Sequence, residues 1–255
     1  MPSPLTSALA ASLLAVATLV PRPAAAQLGT NLLVNGNAEA GTGSSTGTQV
    51  LAVPGWTTTG TFTVVQYAAG GGFPGASSAG PADRGANFFA GGPGSTSSSA
   101  TQRLDLAGIA GLLPQVATGT VRFTLGGFFG GFSGQDDAAS LTARFLDGSG
   151  ALVGSTTAGP VLAAARGGVT GLLERSIAGL LPSDARSVEF TLAMSHREGS
   201  YNDAYADNLS FVLAAAPATT VPEPGTWALV GTGLAGVLGV ARRRAVRGAT
   251  PNRVS

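Results

Sequence analysis

The chain has 255 residues, of which 44% are hydrophobic and 11% are charged, and it contains no cysteine. The lack of cysteine excludes disulfides, thiolate metal sites and cysteine nucleophiles. Between residues 27 and 221 there are 8 arginines and 12 acidic residues, and this mildly acidic body argues against nucleic-acid binding, because phosphates need a basic face.

The chain begins with an apolar run that has the length of a secretion signal. The run LTSALAASLLAVATLV covers residues 5–20, and small residues at Ala24 and Ala26 fit a cleavage site before Gln27. We therefore predict a signal peptide over residues 1–26 and export through the general secretion machinery. No Lys or Arg precedes the run, so a retained membrane anchor is the alternative.

Residues 27–213 show the patterning of strands and predict one all-β domain. Apolar and polar residues alternate with a period of two, and turn-forming residues separate the alternating segments. Seven or eight short strands of this kind are typical of a β-sandwich. The alternating segments are 121–125, 141–145, 187–194 and 209–213, with shorter candidates at 61–67 and 103–106.

Three stretches of this domain are rich in glycine and serine and lack the alternation. Such segments bury little apolar surface, so we predict that they are surface loops. They cover residues 41–48, 70–81 and 91–101.

Catalytic constellations are hard to find in the sequence. Asp136 and Asp137 follow a Gly-Gln pair and are predicted to form a solvated turn. His196 is the only histidine, and we predict that it lies exposed at the end of a strand. No nucleophile elbow accompanies it, so we expect a protein that is not an enzyme.

Aromatic side chains are the candidates for ligand contact, because sugars stack their apolar faces on rings. Trp56 follows a proline turn, and such a tryptophan can instead belong to the core of a sandwich. The candidate ligand residues are Trp56, Tyr67, Tyr201 and Tyr205.

Two segments resemble the ends of galactose-binding-like jelly rolls, a group that includes many carbohydrate-binding modules. They are NLLVNGNAE at residues 31–39, followed by VPGW, and YNDAYADNLSF at 201–211. The resemblance implies an all-β jelly-roll sandwich whose first and last strands meet and hold a structural calcium. The matching acids are Glu39 and Asp207, and carboxylates suit calcium. Two solvated surface acids are the alternative.

The sequence ends with a linker, predicted over residues 214–221, and a tail in which a Pro-Glu-Pro motif, an apolar helix, an arginine cluster and the chain end follow in that order. Pro222, Glu223 and Pro224 hold the backbone extended, and an apolar helix is predicted over about residues 227–241. Arg242, Arg243 and Arg244 follow and hold that end in the cytoplasm. A helix of this length spans roughly 22 Å, short of the ~30 Å membrane core.

This tail resembles the PEP-CTERM sorting tail, which we assign to residues 222–247, with a short extension at 248–255. The resemblance implies recognition by an exosortase, a transient inner-membrane anchor, and release to the surface or matrix of a Gram-negative bacterium. It also implies a polysaccharide-rich destination, because exosortase systems accompany exopolysaccharide production. We therefore expect a non-catalytic sandwich that binds exopolysaccharide. A structural or adhesive matrix protein without a small ligand is the alternative, followed by a secreted hydrolase.

Overall fold

The structure is a computed structural model, and it describes residues 28–216. The predicted signal peptide, the predicted sorting tail and the membrane helix predicted within it lie outside these residues. Within residues 28–216, no helix is long and apolar enough to cross a membrane. The described part is all-β and forms two antiparallel sheets, which confirms the predicted β-sandwich.

Ten strands make up the sandwich, together with one short helix and two 3₁₀ turns. The strands are β1 Thr57–Thr59, β2 Thr63–Gln66, β3 Asn87–Pro93, β4 Ser98–Asp105, β5 Val121–Gly131, β6 Ala138–Leu146, β7 Leu152–Ala158, β8 Gly171–Leu180, β9 Ser187–Ser195 and β10 Tyr201–Ala215. The helix α1 is Leu112–Ala117, and the 3₁₀ turns are Leu106–Gly108 and Ala163–Arg166.

Five strands form each sheet. Sheet A has the order β2-β3-β10-β5-β8, and sheet B has the order β1-β4-β9-β6-β7. The core lies between the sheets, where Phe211 of sheet A meets Phe190 of sheet B with ring centroids 5.0 Å apart. The alternation predicts this arrangement correctly: Val121, Phe123 and Leu125 are buried while the residues between them are exposed.

Sheet A is also covered on its outer face, where a second apolar cluster forms. Its buried members include Phe88 of β3 and Tyr205 of β10, whose ring centroids are 5.2 Å apart. Phe73, from a glycine-rich stretch that follows β2, packs against both rings. This stretch is therefore a cover for sheet A, and it places one wall of the site described below.

The prediction of a loop at residues 91–101 is wrong over most of this range, because β3 and β4 occupy all of it except the centre. Two glycines in this range, Gly91 and Gly92, allow neighbouring segments of the chain to approach the backbone of β3 closely. A Cβ on Gly92 would lie 1.7 Å from the carbonyl oxygen of Thr61, and a Cβ on Gly91 would lie 2.1 Å from Cγ of Asn202. This glycine pair predicts a flexible loop from the sequence, but in the structure it forms the tightly packed end of a strand.

The two ends of the described segment meet, as the jelly-roll resemblance implies. The Asn31 side chain accepts a hydrogen bond from the Phe211 amide (3.0 Å) and donates one to the Leu209 carbonyl (2.9 Å). The last strand, β10, continues to Ala215. It therefore extends two residues beyond the predicted domain end at Leu213 and into the predicted linker.

Candidate functional site

An open cleft of about 250 Å³ lies where β10 begins, at the outer cluster of sheet A. We call it the Asp203 cleft. It is assembled from β10, the end of β5 and two loops that are distant in sequence. The lining residues are Thr46, Thr48, Gly71, Gly72, Phe73, Phe132, Tyr201, Asp203 and Tyr205.

Two glycines fix the aromatic walls of the cleft. The rings of Phe73 and Tyr201 meet edge to face, with centroids 5.3 Å apart. Gly47 has φ +74°, and a Cβ there would lie 2.2 Å from Cζ of Phe73. Gly72 has φ +94°, and a Cβ there would lie 2.6 Å from Cε2 of Phe132. Both rings therefore pack directly on backbone, which only glycine permits at these two positions.

Asp203 supplies the charge of the cleft. Its carboxylate accepts a hydrogen bond from the Tyr205 hydroxyl, and it forms no ion pair with any residue of the 28–216 segment. Burial raises the pKa of Asp203, the Tyr205 hydrogen bond opposes this, and the nearby charge of Asp137 adds to it. The cleft thus holds a half-buried acid with unused acceptor capacity.

The Tyr201 hydroxyl is buried and has no hydrogen-bond partner among the described residues. Burial, and secondarily the charge of Asp203, raises the pKa of Tyr201, so this hydroxyl stays protonated. A buried hydroxyl without a partner costs free energy. Tyr201 lines the cleft, whereas its hydroxyl oxygen is enclosed by protein.

Asp137 anchors the loop that leads from β9 into the cleft. Its side chain is fully buried, and it accepts hydrogen bonds from the amides of Arg197 (2.5 Å), Glu198 (3.0 Å) and Asp203 (2.7 Å). The prediction of a solvated turn is wrong for this acid. Its hydrogen-bond partners lie 60 to 66 residues further along the chain, so the local sequence around Asp137 does not predict them.

The prediction of an exposed histidine is also wrong. The His196 side chain is only 12% exposed, and its Nδ1 lies 3.3 Å from Oδ2 of Asp137. The histidine therefore belongs to the same anchor.

The structure brings two of the four predicted aromatic ligand residues, Tyr201 and Tyr205, into the cleft. Trp56 is only 8% exposed and donates from Nε1 to the Asn35 carbonyl (3.2 Å). Tyr67 is also 8% exposed, and its hydroxyl is bound to Asp207. Both rings are packed inside the protein, and Tyr205 is fully buried as well. Of the four, Tyr201 is the one that lines the cleft and is partly exposed.

The predicted calcium ligands are held in different ways. Glu39 accepts from the amides of Ala86 (2.9 Å) and Asn87 (2.7 Å) through one oxygen. Asp207 is fully buried and accepts from the Tyr67 hydroxyl (2.7 Å). The alternative of two solvated surface acids is therefore wrong for Asp207.

Asp207 is a buried acid close enough to Glu39 and Asp83 to feel their charges. Burial raises its pKa to about 7, and repulsion by Glu39 and Asp83 adds to the rise. A divalent ion would relieve this repulsion, so the donor chemistry fits calcium. Within the described residues, no group of three acidic or histidine side chains is arranged as a metal-ligand set. An ion would therefore also need backbone or amide oxygens.

The comparisons with known proteins identify the tail. Residues 220–244 match the family described as the PEP-CTERM protein-sorting motif. This confirms the prediction from Pro222, Glu223, Pro224 and the following arginines. No curated protein matches the chain.

Similar solved structures include a Family 16 carbohydrate-binding module, with 20% identity over 71% of this chain and 99% of the module and a TM-score of 0.41. A Stig cyclase from Fischerella sp. TAU has 12% identity over 73% and 98% of the two chains (TM-score 0.46). The active domain of a bacteriophage CBA120 tailspike has 17% identity over 72% of this chain (TM-score 0.44), which spans only 21% of the tailspike. With TM-scores below 0.5, these likenesses assign no function to this chain.

Proposed function

We propose that this protein is an exported, non-catalytic surface protein whose β-sandwich binds carbohydrate in the Asp203 cleft. The observation that carries the proposal is the combination of aromatic walls, one carboxylate without an ion-pair partner among the described residues, and two threonines in an open cleft. Sugars use both kinds of contact, because their apolar faces stack on rings and their hydroxyls donate to carboxylates. An extracellular polysaccharide is the ligand class that suits a sorted surface protein.

The arrangement favours binding over hydrolysis. Glycosidases place two carboxylates at the scissile bond, whereas Asp203 is the single acid that lines the cleft in the described part of the chain. The neighbouring Asp137 is buried, and its oxygens are engaged by backbone amides. We therefore propose a binding role, with no release of reducing ends from a bound glycan.

The fold assignment and the sorting route complete the proposal. The sandwich is of the galactose-binding-like jelly-roll type, which is supported by the pairing of residue 31 with Val212. The PEP-CTERM motif implies sorting to the cell envelope or surface. We propose that the exosortase is the processing partner, that the tail is a transient inner-membrane anchor, and that the exopolysaccharide matrix of a Gram-negative bacterium is the destination.

Processing at both ends is the first expected result. Protein released from the surface should begin at Gln27 and lack residues 227–241, because signal peptidase and the exosortase remove the ends. Intact-mass measurement of the culture fraction and of membranes checks this. Replacing Glu223 by alanine should leave the precursor in the membrane, whereas replacing Glu174 should not. Released protein that retains the tail would contradict the processing claim.

Loss of the aromatic walls should weaken carbohydrate binding. We expect Phe73→Ala and Tyr201→Ala each to lower the affinity for a bound glycan at least tenfold, or about 1.4 kcal/mol. Thr142→Ala, on the outer face of sheet B, is the control and should bind like wild type. Affinity electrophoresis in gels that contain soluble polysaccharides gives the dissociation constants. Wild-type protein that binds no polysaccharide would favour the alternative of a structural or adhesive matrix protein.

A further inference from the structure

The Asp203 cleft has the composition of a site for an organic cation. Its lining contains a carboxylate and four aromatic rings and no basic side chain. We propose that the cleft selects sugars that carry a free amine, such as the glucosamine units of a deacetylated polysaccharide. This inference rests on the proposed function and specifies its ligand class.

Asp203 is the one charged residue among those that line the cleft, and the terminal nitrogens of the nearby Arg166 guanidinium are bonded to backbone. Arg166 is buried and is not a lining residue. Its two terminal nitrogens donate to four backbone carbonyls, those of Gly131, Ser133, Gln135 and Val169. His196 is close enough to lower the pKa of Asp203, but Asp203 forms no ion pair among the described residues. An incoming ammonium group would supply one.

The rings strengthen the same preference. An ammonium group near the faces of Phe73, Phe132 or Tyr201 is attracted by the ring quadrupoles, and this attraction grows where water is excluded. An N-acetyl group replaces the ammonium with a neutral and bulkier amide, so it loses both the ring attraction and the ion pair. A uronic acid would be repelled by Asp203.

Two threonines supply polar contacts beside the charge. Thr46 and Thr48 also line the cleft, and their exposed hydroxyls can bond to the hydroxyls of the same sugar.

A matched pair of oligosaccharides tests the inference. Chitosan hexamer and chitin hexamer share one backbone and differ in their acetyl groups, and an oligogalacturonate supplies the opposite charge. The full-length protein is titrated in a polyoxyethylene detergent, which carries neither a sugar nor an ammonium headgroup. We expect the amine form to bind at least tenfold more tightly than the acetylated form, and the uronate to bind most weakly.

Two single-residue variants test whether Asp203 causes the preference for the amine form. Asp203→Asn keeps an acceptor for the Tyr205 hydroxyl, and it should reduce the preference for the amine to less than about twofold. Glu174→Gln removes one charge from exposed strand β8 and should leave the preference unchanged. Should Asp203→Asn fail to fold, the salt dependence of wild type still decides, because an ion-pair preference falls as ionic strength rises.

The outcomes separate the two proposals. Equal affinity for both hexamers, or a preference that survives in Asp203→Asn, overturns the amine inference while carbohydrate binding stands. Failure to bind chitosan hexamer overturns the amine inference, and failure to bind any polysaccharide in the affinity gels as well overturns both. A tenfold preference that disappears in Asp203→Asn and persists in Glu174→Gln supports both.

Discussion

Replacing Asp137 by alanine is expected to destabilise the protein by at least about 3 kcal/mol. The change removes three part-buried hydrogen bonds to a buried carboxylate, donated by the amides of Arg197, Glu198 and Asp203, and each hydrogen bond to a charged group contributes about 1.5–3 kcal/mol. For a domain of this size, a loss of about 3 kcal/mol corresponds to a melting temperature about 6–12 °C lower. Urea unfolding followed by circular dichroism gives the free energy.

The neighbouring acid provides a matched control. Asp136 accepts one hydrogen bond, from the Ala163 amide (2.9 Å), so Asp136→Ala should cost only about 1 kcal/mol. Asp137→Asn should lie between the two, because the amide replaces one acceptor with a donor that faces other donors. If Asp137→Ala and Asp136→Ala had the same stability, the anchor described for the loop after β9 would be wrong.

Chelation is expected to lower the melting temperature of the wild-type protein by several degrees. Calcium that binds only the folded state contributes RT ln(1 + [L]/Kd), or about 2.7 kcal/mol at a hundred times its Kd. We choose Glu39→Gln because it keeps the acceptor for the amides of residues 86 and 87. Asp207→Asn keeps the acceptor for the Tyr67 hydroxyl and loses only the one for the Asn208 amide. Both variants should abolish the chelator effect.

The stability of the calcium-free protein is also expected to depend on pH, through the Asp207 carboxyl. The pKa of Asp207 is raised from 3.8 to about 7 in the folded state, so between these values the folded state binds more protons than the unfolded state. Stability should therefore fall as pH rises from about 4 to about 7, and Asp207→Asn should remove this part of the fall. Identical melting of wild type with and without chelator would contradict the calcium proposal.

The strands that the sequence predicts are those with one buried face. In β5, β9 and the second half of β10, alternate side chains face the core, and a period of two marks them in the sequence. Strand β3 is buried on both faces and contains Gly91 and Gly92, so it shows no alternation. Strand β8 is an edge strand that is mostly exposed. Few of its side chains face the core, so the alternation of apolar and polar residues does not predict it.

The candidate site is less visible in the sequence than the fold. Tyr201 and Tyr205 were found because they are aromatic residues in a segment that resembles a known closing strand. Phe73 and Phe132 come from other parts of the chain, and only tertiary packing brings them to β10. An isolated phenylalanine among glycines, as at residue 73, is the one local signal that could have indicated a binding wall. The burial of Asp137 has no such signal.

The most direct measurement of carbohydrate binding in the Asp203 cleft is a crystal structure of the protein with a bound oligosaccharide. We predict a sugar ring against Phe73 and Tyr201, with a hydrogen bond from the ligand to the Asp203 carboxylate. A sugar seated on the outer face of sheet B, or anywhere else with the cleft empty, would contradict this account.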